Sequence, residues 1–543
     1  MQTAFLRLLL FSGLIAAMFY YLSPLVWVLV IFGGLGALSL YDRFQKKHSL
    51  LRNFPLIGRG RWVMEEIRPF IRQYFIESDT DGTPINKMFR SVVYQRAKGD
   101  LETIPFGTKV DTYRTGYEWF GHSLSAIDFN QVEDKDMRVT VGGPKCLKPY
   151  SASILNISAM SFGALSSNAI LALNGGAKIG NFAHNTGEGG LSSYHLKNGG
   201  DIIWQIGTGY FGCRDLAGNF AAEAFRTKAL LDVVKMIEIK ISQGAKPGHG
   251  GILPAEKNTS EIAEIRGVEP NVQVNSPPTH TAFDSPLGLV HFIAQLRELS
   301  GGKPVGFKLA IGRPSEFVAI CKAMVESNIT PDFITVDGGE GGTGAAPLEY
   351  TNSVGMPLRE AIAFVADCLT GFGLRPHIKI IAAGKIISGF HLIKNMAIGA
   401  DLCNSARGMM LALGCVQSLI CNTNQCPTGV ATQNRTLYRG LVVTDKVNRV
   451  AKFHENTVHA TAEIIASGNL AHTSKLNRSH IYRRINQHEV KRYDQIFPYL
   501  QANCLREGNI PEAYKLVMKE ATTDTFEPHV ALTEMDDKIT EIQ

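Results

Sequence analysis

The sequence predicts an α/β protein whose main domain is a (β/α)8 barrel, or TIM barrel, with an N-terminal transmembrane hairpin and helical extensions. From about residue 150, short apolar runs alternate with helix-length segments. This alternation is typical of parallel strands joined by right-handed crossovers. Most runs are rich in β-branched residues, as expected for strands buried on both faces. Eight such runs fit a closed barrel, whose active site lies at the carboxyl ends of its strands.

Helical patterns separate most of the eight predicted strands. The strands are Ser153–Met160, Asn181–Asn185, Asp201–Ile206, Met236–Ile241, Val305–Ile311, Phe333–Asp337, Ile378–Ala383 and Ala400–Asn404. The helices include Leu287–Leu299, Ser315–Ser327, Leu358–Thr370 and Gly389–Ile398. A doubly wound sheet is the alternative fold, but no G-x-G-x-x-G opens a helix after the first predicted strand.

An uncharged stretch near the amino terminus predicts a membrane hairpin. Residues 8–40 contain no charge, and Ser23-Pro24 divides them into the apolar pieces Leu8–Leu22 and Leu25–Leu40. A bilayer core requires about 20 apolar residues, with a range down to roughly 17, and the first piece is just long enough when Thr3–Arg7 is included. A single long tilted span is the alternative interpretation.

Basic residues follow this apolar stretch directly. They are Arg43, Lys46, Lys47, Arg52, Arg59 and Arg61. Because positive charges stay on the cytoplasmic side, we expect an inner-membrane protein with its catalytic domain in the cytoplasm. The pattern of Arg59–Phe75 predicts an amphipathic helix that either lies on the membrane surface or packs on the main domain. We expect Pro69 to break or kink this helix.

Composition and length narrow the class of protein. The 543 residues carry a net charge of +6, too small for this length to predict nucleic-acid binding. Outside one cluster the cysteines are scattered singly, which fits a reducing compartment. We divide the chain into a transmembrane hairpin (1–42), a basic juxtamembrane and N-terminal extension (43–140), the barrel (141–470) and a C-terminal helical tail (471–543).

Three cysteines occur within twenty residues, in the loop 414–433. Cys415, Cys421 and Cys426 have the spacing Cys-x5-Cys-x4-Cys, and a proline follows the last of them. Thiolates are ligands for iron–sulfur clusters and zinc, and a Cys-Pro ending recurs in iron–sulfur loops. The alternative is that the thiols are small buried hydrophobes, but their offsets do not share one helix face. Three ligands favour a cluster over a closed zinc site, with Cys403 the nearest candidate for a fourth.

Glycine-rich turns after the last two predicted strands suggest a phosphate-binding site. Barrels commonly bind phosphate at this position, and backbone N–H groups approach an anion closely where no Cβ intrudes. The residues that fit this role are Gly384, Lys385, Ser405, Ala406, Arg407 and Gly408.

The cysteine loop resembles the iron–sulfur loop in the FMN-binding domain of the glutamate synthases. That family holds a [3Fe-4S] cluster on three cysteines at this spacing, before the same CP-x-GVATQ ending, although the sequence leaves a [4Fe-4S] cluster open. The resemblance covers roughly residues 100–480. It includes the motifs SAMSFG (158–163), HNTGEGG (184–190), IEIKISQGAKPGHGG (237–251) and VDGGEGGTGAAP (336–347).

The resemblance implies roles for residues in these motifs. Ala159, Met160 and Ser161 would lie under the flavin ring of FMN, with Asp337, Gly339 and Thr343 at matching cofactor positions. The cation of Lys308 would stabilise reduced flavin. The positions matching Lys240, Lys246 and Arg266 surround 2-oxoglutarate in the family, and Glu188 and Lys246 would be catalytic.

The resemblance also implies a reaction and its partners. Reductive amination of 2-oxoglutarate with ammonia would give L-glutamate, with single electrons entering at the cluster and reaching the substrate as a pair through FMN. Neither a glutaminase domain nor an NAD(P)H-binding half is recognisable in the sequence. We therefore expect ammonia from solution or a partner protein, and electrons from a separate donor such as ferredoxin.

Departures from the family pattern leave the substrate open. His249 stands where the family has a glutamate, and Ile252 stands where it has a glutamine close to the substrate. These changes favour, as one alternative, a flavin oxidoreductase that acts on another imino or keto acid. A second alternative is a membrane-tethered electron-relay subunit without amine-forming activity.

Overall fold

The computed structural model describes residues 24–529, and they form two compact units. The first unit ends at Gly82 and the second begins at Thr83. The predicted apolar piece Leu8–Leu22 lies outside the described residues. The unit boundary falls inside the predicted extension 43–140, and the other predicted domain boundaries stay predictions.

Eight parallel strands form a closed barrel in the second unit. In chain order they are β1 Leu155–Ile157, β2 His184–Asn185, β3 Ile202–Ile206, β4 Val234–Lys240, β5 Val305–Leu309, β6 Phe333–Asp337, β7 Lys379–Ala383 and β8 Leu402–Ser405. Neighbours in sequence are neighbours in the barrel, and β8 pairs with β1 to close it. All eight predicted strands are present, and the predicted (β/α)8 fold is confirmed.

The first predicted strand, Ser153–Met160, is longer than the observed strand β1. Tyr150–Ser153 instead pairs with Arg138–Val141 as an antiparallel hairpin, and β1 begins only at Leu155. The hairpin residues Val141, Tyr150 and Ala152 pack in one buried cluster with barrel residues, among them Phe333 and Leu402 at the starts of their strands. The hairpin therefore covers the amino-terminal end of the barrel and leaves the carboxyl end for a site.

Helices surround the barrel and bury the main apolar core against its strands. Those that connect barrel strands are Ser167–Ile179, Ser193–Leu196, Ala222–Ala229, Ser260–Arg266, Pro286–Leu299, Pro314–Ser327, Leu348–Ser353, Leu358–Gly371 and Gly389–Ile398. After β8 come Arg407–Ala412, Arg435–Tyr438 and the long helix Val443–Ser467, which packs on Ser167–Ile179 and on Lys87–Lys98. The four helices predicted from sequence are confirmed, with ends shifted by one residue at most.

The predicted helical tail also contains strands. Ile481–Arg484 and Val490–Arg492 form an antiparallel sheet with Glu118–Phe120, followed by helices Tyr493–Ile496 and Glu512–Glu520. Cross-strand stacking of Trp119 on Tyr482, 5.6 Å between ring centres, is one contact that favours this sheet. The expectation of an all-helical tail is therefore wrong for residues 481–492.

One basic residue of the tail, Arg478, is buried. Arg478 donates to the Asp367 carboxylate at 2.7 Å and lies over the ring of Tyr499. This buried ion pair attaches the tail to the barrel helix that carries Asp367.

The first unit contains an apolar helix and an amphipathic one. The helix Pro24–Phe44 includes a segment, Val26–Phe44, that is long and apolar enough to cross a membrane by length and composition. The helix Arg59–Ile71 continues through Pro69 and ends in a wider π-type turn, Arg72–Ile76, so the proline does not break it where the sequence suggested.

Candidate active site

A cavity of about 480 Å3 opens at the carboxyl ends of the barrel strands, within the usual size range of small-molecule sites. Thirteen predicted site residues line it: Ala159, Met160, Ser161, Glu188, Lys240, Lys246, Arg266, Lys308, Thr343, Ala406, Arg407, Cys415 and Cys421. Asp337, Gly339, Ser405 and Cys426 do not line it, and Gly384 and Lys385 line a second cavity of about 290 Å3.

Glycine lets the loop after β2 cross closely over the loop after β1. Gly187 has a φ of +65°, and a Cβ at this position would lie 2.8 Å from the backbone nitrogen of Ser161. Both the left-handed backbone and the close approach therefore require glycine here. This crossing brings Glu188 to the cavity wall beside the predicted flavin motif.

The Glu188 carboxylate lies among three buried cations. Lys240, the last residue of β4, forms an ion pair with it at 2.8 Å. Burial raises the pKa of Glu188, but Lys240, Lys246 and Arg266 together outweigh this effect and leave the pKa below its usual value. A Cβ on Gly251 would approach the carboxylate to 2.5 Å, so this glycine makes room for it. Glu188 is therefore ionised and partly balances the cations.

Lys246 and Arg266 supply the outer cations of this cluster, which we call the cation cluster (Lys240, Lys246 and Arg266). Burial, together with the charge of Lys240, lowers the pKa of Lys246 to about 8 against the attraction of Glu188. Burial lowers the pKa of Arg266 to about 10, so its guanidinium stays charged at neutral pH. The guanidinium of Arg266 lies 5.0 Å from the ring centre of Phe211, a cation–π contact that fixes its plane.

Lys308 on β5 is held as a cation in the barrel interior. Its Nζ lies 3.2 Å from the carboxylate of Asp337, which also accepts a hydrogen bond from the Gly244 N–H at 2.9 Å. Burial lowers the pKa of Lys308, but Asp337 and the nearby Glu238 outweigh burial and raise it above its usual value. Lys308 therefore brings a fixed positive charge to the cavity floor.

A buried polar network that no sequence motif indicated lies next to this cation. Glu238 on β4 accepts hydrogen bonds from Asn185 at 2.7 Å, Gln205 at 2.6 Å and Thr335 at 2.6 Å. Glu238 and Lys240 are two residues apart on β4, so both side chains point to its inward face. Two polar residues at this spacing in an otherwise apolar strand are the sequence signal that could have indicated the network.

His280 supports the cation cluster from behind, a role the sequence did not indicate. Its Nε2 lies 2.8 Å from the carbonyl oxygen of Lys240, and its Nδ1 lies 3.0 Å from the Tyr210 hydroxyl. The Tyr210 oxygen accepts two backbone N–H bonds, so its proton is directed to the imidazole. Burial lowers the pKa of His280 to about 4, and the neutral ring donates to the end of β4.

The three thiols of the cysteine loop lie close enough together for their charges to interact when they are ionised. Burial raises the pKa of Cys415 to about 12 and also raises that of Cys421. Burial acts in the same direction on Cys426, but hydrogen bonds from Thr428 and from the backbone of Ala431 and Val430 lower its pKa overall. N–H groups aimed at a sulfur are the kind of contact that tunes iron–sulfur ligands.

No three His, Cys, Asp or Glu side chains in the described part of the chain are grouped closely enough to hold one metal ion. A cluster uses its thiolates differently, because each one binds a separate iron. The donor set of three soft thiols therefore fits a cluster better than a single zinc ion. Cys403 is buried within β8, and burial raises its pKa, so it retains the properties of a core thiol.

Four of the six predicted phosphate residues line a cavity, Ala406 and Arg407 the larger one and Gly384 and Lys385 the smaller one. The Ser405 hydroxyl donates to the Ile386 carbonyl at 2.6 Å, which links the ends of β7 and β8. Arg407 donates to the Glu340 carbonyl at 2.8 Å and faces the large cavity, whereas Lys385 has a φ of +50° and faces the second. The phosphate role of these residues stays a prediction.

Comparison with known proteins identifies the family. The conserved region in glutamate synthase matches residues 110–470. Over 492 residues the chain is 35% identical to the glutamate synthase large subunit-like protein YerD of Bacillus subtilis, covering 84% of this chain and 93% of that protein. The chain belongs to the glutamate synthase family.

Proteins named as glutamate synthases match over part of their length. The archaeal glutamate synthase (NADPH) of Methanocaldococcus jannaschii is 35% identical over 315 residues, which are 58% of this chain and 58% of that enzyme. A solved mandelate oxidase complex aligns with 84% of this chain and 98% of its own, at 13% identity and a TM-score of 0.40. Family membership indicates a glutamate synthase-type oxidoreductase.

The two departures from the glutamate synthase pattern lie at or near the cavity. Ile252 lines it, next to Gly251 and the Glu188 carboxylate. His249 is partly buried, with its Nδ1 2.9 Å from the Gly250 carbonyl and its ring edge against Tyr350. Of the two, Ile252 is therefore the one that lines the space a substrate would occupy.

Proposed function

We propose that this protein reductively aminates 2-oxoglutarate with ammonia to L-glutamate, using FMN, an iron–sulfur cluster of the [3Fe-4S] type and an external one-electron donor such as ferredoxin. The observation that carries the proposal is a single cavity lined by the cation cluster, by Glu188 and by the thiol-bearing residues Cys415 and Cys421. Each turnover consumes one ammonium ion, two electrons and two protons per 2-oxoglutarate and releases water.

The residues present fit both cofactors. Bound FMN would supply hydride transfer, and a cluster on the three thiols would supply one-electron transfer. Ala159, Met160 and Ser161 form a wall for an apolar ring system, and Lys308 provides the positive charge that an anionic reduced flavin requires. The hydrogen bonds to Cys426 favour its thiolate form, which is the form that binds iron.

The cation cluster suits a dicarboxylate. Lys240, Lys246 and Arg266 are buried, so their charges are screened little by solvent and their bonds to carboxylates are strong. Glu188 already balances one charge of the cluster, and two carboxylates of a substrate would balance the remaining ones. Lys246, with its lowered pKa, can hold or release a proton at Nζ near neutral pH, as a general acid requires.

The test is spectroscopy and turnover on anaerobically purified full-length protein. We expect a flavin absorption band, iron and labile sulfide in the ratio of a cluster, and glutamate formation from 2-oxoglutarate and ammonium with a reduced dye. Colourless protein would overturn the cofactor assignment. Both cofactors without amine formation from any 2-oxo acid would instead favour the electron-relay alternative.

A second candidate substrate is a 2-oxo acid with a less polar side chain. Ile252 favours it, because an apolar side chain lines the cavity where the family has an amide. A panel of 2-oxo acids in the same assay separates the candidates. A higher kcat/KM for an apolar 2-oxo acid than for 2-oxoglutarate would replace our first proposal.

We also propose that the chain is attached to the inner membrane with its barrel in the cytoplasm. The apolar helix Val26–Phe44 supports this, and so does one face of the helix Arg59–Ile71, on which Val63, Ile67 and Phe70 are 50%, 41% and 59% exposed. Arg61 and Arg68 lie on the opposite face, as in a helix lying in the plane of a lipid surface.

The membrane proposal is tested in the full chain reconstituted into vesicles that contain anionic lipid. A fluorescent non-natural residue at position 67 should be quenched by brominated acyl chains, and one at position 68 by aqueous iodide. If iodide quenches both probes equally, the helix does not lie on the lipid. Protection of position 67 from both quenchers would indicate packing against protein.

A further inference from the structure

Lys257 is a buried lysine that joins three distant segments of the chain. Its Nζ donates to the carbonyl oxygens of Ala164 at 3.1 Å, Cys421 at 2.7 Å and Ala431 at 2.8 Å, and only 3% of the residue is exposed. Ala164 lies in the loop after β1, whereas Cys421 and Ala431 belong to the cysteine loop. One ammonium group therefore connects the predicted flavin loop with the predicted cluster loop.

The charge of Lys257 is not balanced by a carboxylate within the described residues. Carbonyl oxygens satisfy its three protons, but they carry no net charge, and burying an unpaired charge is costly. The thiol groups of Cys421 and Cys426 lie close enough to the ammonium group of Lys257 to interact with it electrostatically. When they bind iron, these thiols become anionic thiolates, which could balance the positive charge of Lys257.

Two other lysines, the buried Lys303 and the half-buried Lys322, show what a purely structural role looks like in this protein. Lys303 donates to the carbonyls of Ala229 and Leu231, at the end of the helix Ala222–Ala229. Lys322 donates to the carbonyls of Met518 and Ala521, at the end of the helix Glu512–Glu520. Each completes the carboxyl end of a single helix, a common use of lysine. Lys257 differs because its three acceptors lie in two separate loops, the loop after β1 and the cysteine loop.

We propose that Lys257 is the fixed countercharge of the iron–sulfur cluster on Cys415, Cys421 and Cys426, and a positioning residue that ties its loop to the flavin loop. This inference rests on the proposed function. A cluster with thiolate ligands carries net negative charge that grows on reduction, and a buried cation beside it stabilises the reduced state. Lys257 would therefore raise the reduction potential and make the cluster a better acceptor for single electrons.

The experiment compares Lys257→Gln, Lys257→Arg and Lys322→Gln in the full-length protein. Glutamine retains hydrogen-bond donors without the charge, arginine retains the charge, and Lys322→Gln removes a half-buried lysine, bonded to two carbonyls, away from the cysteine loop. Iron content is measured first, followed by an EPR redox titration. We expect Lys257→Gln to lower the potential of the cluster, and Lys257→Arg and Lys322→Gln to leave it close to that of the unmodified protein.

Each outcome distinguishes the inference from the function it rests on. Unmodified protein without iron would contradict the proposed cluster itself. Full iron content with an unchanged potential in Lys257→Gln would show that Lys257 is a structural tie and overturn the countercharge. If Lys257→Gln binds no iron, restoration of iron by Lys257→Arg supports the charge requirement. Loss of iron in both variants, with unchanged thermal stability, would contradict it.

Discussion

The two ends of the large cavity balance their charges in different ways. At the substrate end, buried cations have carboxylate partners within the protein, as in Lys240 with Glu188 and Lys308 with Asp337. At the cluster end, the loop 414–433 contains no charged residue, and Lys257 has carbonyl acceptors only. At the substrate end, Lys240 and Lys308 therefore have their countercharges before any ligand binds, and Lys246 and Arg266 are left for the carboxylates of a substrate. At the proposed cluster end, the charge of Lys257 has no carboxylate partner among the described residues.

The largest effect that this comparison predicts is at the cluster end. In Cys421→Ser we expect loss of the iron signal and a fall in donor-dependent turnover of roughly 100-fold or more, since even outer-shell changes cost 10–100-fold. Flavin content should stay unchanged because the substrate end forms independently. Iron analysis, EPR and dye-linked turnover measure these quantities. Cys146→Ser, outside the loop, is the control, and an intact cluster in Cys421→Ser would rule out our ligand assignment.

At the substrate end we expect the substitution Glu238→Ala to reduce the stability of the folded protein strongly. Glu238→Ala removes the acceptor of three buried hydrogen bonds and a negative charge that stabilises Lys308. The free energy of unfolding of cofactor-free protein should fall by about 3 kcal/mol, the usual cost of leaving buried polar partners unpaired. Denaturant unfolding measures it, with the exposed Glu298→Ala as control. Equal stability of the two variants would contradict a preformed substrate end.

Substrate affinity should depend on Arg266. Removing its charge in Arg266→Gln loses a charge-assisted bond to a substrate carboxylate, worth about 1.5–3 kcal/mol, so the KM for 2-oxoglutarate should rise roughly 10- to 150-fold. Arg266→Lys should retain part of the affinity, although it loses the contact with Phe211. Steady-state kinetics at saturating ammonium give both values. An unchanged KM in Arg266→Gln would remove this residue from the substrate site.

The lowered pKa of Lys246 predicts that kcat/KM depends on pH. Because its pKa is lowered to about 8, Lys246 is charged below that pH and neutral above it. The kcat/KM for 2-oxoglutarate should therefore fall as the pH rises from 7 to 9, by about tenfold per unit at most above the pKa. In Lys246→Arg, whose charge does not titrate in this range, the profile should be flat. A fall of the same size in Lys246→Arg would assign the titration to another group.

The sequence predicted the barrel well because its signal is local. Apolar runs alternate with helical patterns, and each strand buried on both faces carries that signal by itself. The tail was less predictable, because the strand Ile481–Arg484 is polar and depends on its pairing with Glu118–Phe120 more than 360 residues earlier. Pairing at such a distance leaves no trace in a local pattern.

The residues of the candidate site show the same difference between local and long-range signals. The residues lining the cavity around Glu188 and Cys421 were found through motifs of several residues, each long enough to be recognised. Lys257, Glu238 and His280 were missed because each is a single polar residue whose importance comes from contacts across the fold. Conversely, Gly384 and Lys385 fit the usual phosphate position of a barrel by sequence, yet both line the smaller cavity.

The smallest effect we predict concerns Ile252, and it bears on which acid the substrate end accepts. Ile252→Gln introduces an amide donor beside the cation cluster, and a neutral hydrogen bond is worth about 0.5–1.5 kcal/mol. If 2-oxoglutarate is the substrate, its KM should fall by roughly 2- to 10-fold. Ile252→Leu, which adds no donor, is the control. If Ile252→Gln instead weakens turnover of an apolar 2-oxo acid and leaves 2-oxoglutarate unaffected, then the cations serve one carboxylate only, and the isoleucine selects the other end of the substrate.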